Sequence, residues 1–60
     1  MKDLEAHLEK LRTGAAECEL IRDLATDPQK RALFTRLAEH LATLASEVEA
    51  AIAAKRTGGE

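Results

Sequence analysis

An all-α fold, an antiparallel two-helix hairpin that dimerises into a four-helix bundle, is what this sequence predicts, and three observations predict it. The composition is 45% hydrophobic and 33% charged, with Phe34 as the sole aromatic residue, which suits long helices and not a sheet. Two stretches repeat their apolar residues at steps of three and four, the helical period. A lone proline, Pro28, stands between them, where the chain must leave one helix and begin another.

The first helix is predicted over residues 3–25. Leu4, Leu8, Leu11, Ala15 and Cys18 fall on one stripe at about 100° per residue. Asp3 serves as N-cap or first-turn acid, and Glu5 adds negative charge near the positive end of the helix dipole. Gly14 interrupts this helix at a cost of about 1 kcal/mol relative to Ala. Beyond it Leu20 and Leu24 point almost opposite to the Leu4, Leu8 and Leu11 stripe, while Arg22 falls in line with it. Either the helix bends at Gly14, or Leu20 and Leu24 meet a second neighbour while Ile21 and Cys18 meet Phe34; the second neighbour is the preferred reading.

The turn is predicted at residues 26–27. Thr26 followed by Gln29 resembles a capping box, and Asp27 before Pro28 is the alternative N-cap. So short a connection makes the two helices antiparallel neighbours.

The second helix is predicted over residues 28–55. Its apolar residues, from Leu33 and Phe34 through Leu37, Leu41, Leu44 and Val48 to Ile52, fill a sector roughly 140° wide. That exceeds the seam of a two-stranded coil and suits a bundle helix touching two neighbours. Lys55 and Arg56 fit a helix C-terminus, and residues 56–60 read as a frayed tail. The expected core comprises Leu8, Leu11, Ile21, Phe34, Leu37, Leu41, Leu44 and Val48.

Sixty residues form one domain, 1–60, and a chain this short buries only about 60% of its unfolded surface. One cysteine, Cys18, excludes an intrachain disulfide, so oligomerisation or a metal must supply the missing support. No metal or cofactor site emerges. Glu-x-x-His is absent, Glu39 and His40 are adjacent and face different ways, and His7 and His40 lie far apart along an antiparallel hairpin. Cys18 on the apolar stripe reads as a small buried hydrophobe and not as a reactive thiol. With no phosphate loop and no room for a concave pocket, no catalytic residue is predicted.

Net charge is -2 with both signs interspersed, which gives no strong field for nucleic acid. The charged opening Lys2-Asp3-Leu4-Glu5 lacks the apolar core of a secretory signal, and no stretch reaches the length of a membrane span. A cytoplasmic location is therefore expected.

The run Cys18-Glu19-Leu20-Ile21-Arg22, the Ala25-Thr26-Asp27-Pro28 turn, and Leu33-Phe34 followed by Leu37-Ala38-Glu39-His40-Leu41 and Leu44-Ala45 resemble short helical-hairpin proteins of alphaproteobacteria. The resemblance covers about residues 15–52 and implies a helical hairpin and a bacterial source, with no activity attached.

The expected role is a structural or protein-interaction module, a homodimer or a partner of another helical protein, engaging through Leu20, Leu24, Leu37, Leu41, Leu44 and Val48. The alternative is a small RNA-binding or regulatory hairpin using Lys30, Arg31 and Arg36 near the turn as a polyanion contact.

Overall fold

The computed structural model describes residues 2–58. Two helices fill that range, α1 at Lys2–Leu24 and α2 at Pro28–Gly58, and they pack against each other as a hairpin. The rod measures 48 × 15 × 11 Å, its length set by α2, whose 31 residues span about 46 Å at 1.5 Å per residue.

The turn resolves the choice between the two capping schemes. The Gln29 backbone N–H donates to Asp27 Oδ1 at 3.0 Å, so Asp27 is the N-cap and Pro28 takes the first helical position, where its missing N–H costs nothing. The first helical bond follows, from the Arg31 N–H to the Asp27 carbonyl at 2.9 Å. Thr26 makes no capping box with Gln29, because a cap at Asp27 moves Gln29 into the second helical position instead of the third. At the end of α1 the Ala25 N–H still donates to the Ile21 carbonyl at 3.0 Å.

Helix bounds differ from the predicted ones at three points. α1 starts at Lys2 and ends at Leu24, one residue earlier at each end, which is within the ambiguity of a terminal turn. α2 runs on to Gly58 and takes in part of the predicted tail, because the alanine-rich stretch from Ala50 to Ala54 is built of the strongest helix former. The remainder of that tail, Gly59 and Glu60, lies outside the described residues, as does Met1. α1 continues through Gly14 without interruption.

The core is a narrow seam. Leu8 and Ala15 of α1 and Ala38, Ala45 and Ile52 of α2 are buried, each seven residues from the next on its helix, as in a coiled-coil seam. Leu8, Ala45 and Ile52 form its cluster, with Leu4, Leu11 and Val48 packed against them. Small side chains hold the middle of the seam and let the backbones come close. A Cβ built on Gly14 would lie 3.3 Å from Leu41 Cδ1, so glycine here makes room for the leucine opposite.

This seam corrects the expected core. Ile21 and Leu37 are exposed in the hairpin, and Leu11, Phe34, Leu41, Leu44 and Val48 are only half-buried. The reason is geometric: a second helix covers one side of a stripe about 140° wide and leaves its flank in water. Arg22 interrupts the apolar line at the turn end of α1, where its Nε donates to Asp23 Oδ1 at 3.0 Å.

Candidate functional site

Helical position divides the hairpin into two unlike faces. At about 100° per residue, Glu5, Arg12 and Glu19 lie on one flank of the α1 seam, and Gly14 and Ile21 lie on the other. On α2, Ser46, Glu49 and Arg56 flank the seam on one side, and Leu33, Leu37 and Leu44 on the other. Observed contacts tie like to like. Arg12 pairs with Glu49, and Arg56 Nη2 lies 3.7 Å from Glu5 Oε2, which defines a polar face. Gly14 against Leu41 defines the opposite, apolar one.

The polar face carries two open grooves. One is lined by Glu5, Leu8, Glu49, Ile52 and Arg56 among others, and the other by Arg12, Ala15, Glu19, Ala42, Ala45 and neighbours. Arg12, Glu49, Glu5 and Arg56 on their rims are engaged across the hairpin, and Arg12 also lies 3.7 Å from Glu9 Oε2 of its own helix. Each of these ion pairs is solvent-exposed and contributes less than about 1 kcal/mol.

The apolar face has no such partners. Ile21 is 37%, Leu33 44% and Leu37 39% exposed, with Leu44 half-buried beside them. They gather toward the turn end, where Arg22 has taken the seam position a core residue would fill. The Arg22 guanidinium is held above its ordinary pKa by the hydrogen bond to Asp23, with help from the charges of Glu19 and Glu39, while desolvation acts against it. Like any arginine it is charged at ordinary pH, so it cannot close the turn end as a hydrophobic plug.

Of the expected interface residues, Leu37 and Leu44 belong to this face. Leu41 and Val48 are partly spent on the hairpin itself, Leu41 over Gly14 and Val48 against the Leu8 cluster. Leu20 and Leu24 are the most exposed large apolar residues, at 59% and 74%. Leu20 lies on the back of α1, away from α2, and Leu24 borders the apolar face at its turn end. Lys30, Arg31 and Arg36 are all exposed, but they stand at least about 100° apart around α2 and make no common surface on one chain. Ile21 and Leu33 join the face although the sequence reading did not place them in an interface. Their signal was a surplus, since both lie outside the seven-residue repeat that fills the seam.

His7 and His40 are exposed, and Cys18 is a half-buried free thiol. Among the described residues no group of three or more His, Cys, Asp and Glu side chains is placed to hold a metal ion. No helix among them is long and apolar enough to cross a membrane. No protein-family model, curated protein or solved structure matches this chain.

Proposed function

We propose that this chain is a non-enzymatic protein-interaction module that associates with itself, two hairpins forming a four-helix bundle. The observation that carries the reading is the exposed face of Ile21, Leu33 and Leu37, three large apolar side chains outside the hairpin's buried cluster.

The surface area supports it. The chain exposes 4536 Å², whereas a compact monomer of 6.5 kDa would expose about 3,800 Å². The excess of roughly 700 Å² is close to the ~800 Å² that each partner covers in a standard interface. Shape agrees, because the radius of gyration is 14.2 Å against about 10 Å for a compact chain of this length. Two hairpins side by side keep the same rod length while doubling its cross-section.

The alternative, a polyanion-binding hairpin, would need Lys30, Arg31 and Arg36 on one surface. Their scatter around α2 gives it no support from a single chain. Sedimentation equilibrium across a concentration series tests the self-association reading. A dimer of twice the chain mass supports it, and a monomer at every concentration contradicts it.

A further inference from the structure

We infer that the second copy docks with its turn at the same end of the rod, α1 of each hairpin lying antiparallel to α2 of the other across the apolar face. This rests on the self-association reading and goes beyond it by fixing the topology.

Charge and register carry the inference. Gly14 stands beside Leu41 and Arg12 beside Glu49, so residues of the two helices lie level when their numbers add to roughly 58. A two-fold axis along the rod keeps that register between copies, because it sets α1 of one hairpin over α2 of the next. The outer edge of the apolar face on α1 carries Lys10, Glu17 and Leu24, seven residues apart. The matching edge on α2 carries Leu33, His40 and Glu47, also seven apart. Level with one another, Lys10 meets the second copy's Glu47, Glu17 meets its His40, and Leu24 meets its Leu33. The first rung pairs opposite charges, the second sets a carboxylate beside an imidazole and the third is apolar, while the remaining step of the same two lines, Asp3 level with Ala54, pairs nothing. Within one hairpin these side chains point away from the partner helix, and none of the ion pairs among the described residues uses Lys10, Glu17 or Glu47.

Between those edges Ile21 and Gly14 of one copy lie over Leu37 and Leu44 of the other. The competing two-fold axis, perpendicular to the rod, stacks α1 on α1 and α2 on α2 with the turns at opposite ends. With the rods fully overlapped it sets Ile21 and Leu24 against the charged opening of α1 near Lys2 and Glu5, and it leaves the exposed leucines unmatched.

Spin labels distinguish the two arrangements. In a Cys18→Ala background, Lys2→Cys and Thr26→Cys are labelled separately, and the distance between identical sites in the dimer is read by pulsed electron resonance. Both distances are expected below about 25 Å, the breadth of a bundle with helices 8–10 Å apart. The two sites lie about 36 Å apart along the rod, so any arrangement with opposed turns puts at least one distance beyond about 35 Å, and that result overturns the topology while leaving the dimer intact. A monomer would overturn both readings together. As a second measurement, Lys10→Glu alone weakens the dimer about tenfold at low salt, because symmetry breaks the pair twice and turns attraction into repulsion. Adding Glu47→Lys restores the affinity to within about threefold, and failure to restore it refutes the pairing.

Discussion

Truncating Leu8 to Ala removes the side chain around which the seam's cluster is built. Leu8 is buried with Ala45 and Ile52, and Leu4, Leu11 and Val48 pack against them. Three carbons lost at about 0.8 kcal/mol each give a transfer cost of roughly 2.4 kcal/mol. The further cavity cost is small here, because Leu8 and Ile52 also line an open groove and water reaches the vacated space. A loss of about 2 to 2.5 kcal/mol is therefore expected. A chain of this length holds only about 3 to 9 kcal/mol in total, so the variant gives up a large share of its stability. Urea unfolding followed by circular dichroism reads this as a midpoint lowered by about 1 to 2 M at an unchanged slope. Protein concentration must be held equal, because the proposed self-association would add to apparent stability. Leu20→Ala is the internal control, with an expected change below about 0.5 kcal/mol. If Leu8→Ala loses no more than Leu20→Ala, the seam has been misplaced.

Other outcomes follow from single contacts. Asp27→Ala should cost about 1 kcal/mol through loss of the N-cap, while Thr26→Ala stays within about 0.5 kcal/mol, both read from urea midpoints; the reverse order would restore the capping box. Gly14→Ala should raise stability by about 0.5 kcal/mol, since the helix-propensity gain of about 1 kcal/mol exceeds the cost of moving the half-buried Leu41 methyl a few tenths of an ångström. A lowered urea midpoint would show that Leu41 cannot yield. Arg12→Ala should cost less than about 1 kcal/mol at low salt and nothing measurable at 1 M salt, because its pair with Glu49 is solvent-exposed and screened.

The hairpin was legible because its signals are local. Pro28 could sit only in a first helical turn, Asp27 before it was an available cap, and the three-and-four spacing allowed no strand. What stayed hidden was which part of a stripe about 140° wide would serve the hairpin and which would remain outside. Large residues drew attention to Ile21 and Leu37, yet the seam settled on Ala15, Ala38 and Ala45 with Leu8 and Ile52, because one partner helix covers only a narrow line of the stripe. The seven-residue step from Ala38 through Ala45 to Ile52 was readable in principle, and it divides the stripe into a hairpin seam and an outer flank. Pairing of Arg12 with Glu49 was not readable, since many carboxylates lie within reach of any arginine on so charged a surface.

A matched pair of variants tests the claim that one face alone is covered by a second copy. Leu37→Glu and Leu20→Glu introduce the same charge at exposed α-helical positions, the first on the apolar face and the second on the back of α1. Solution mass by light scattering, with helicity followed on the same samples, should find Leu37→Glu a monomer and Leu20→Glu a dimer indistinguishable from the unmodified chain. Two dimers, or a monomer produced by Leu20→Glu instead, would contradict the account.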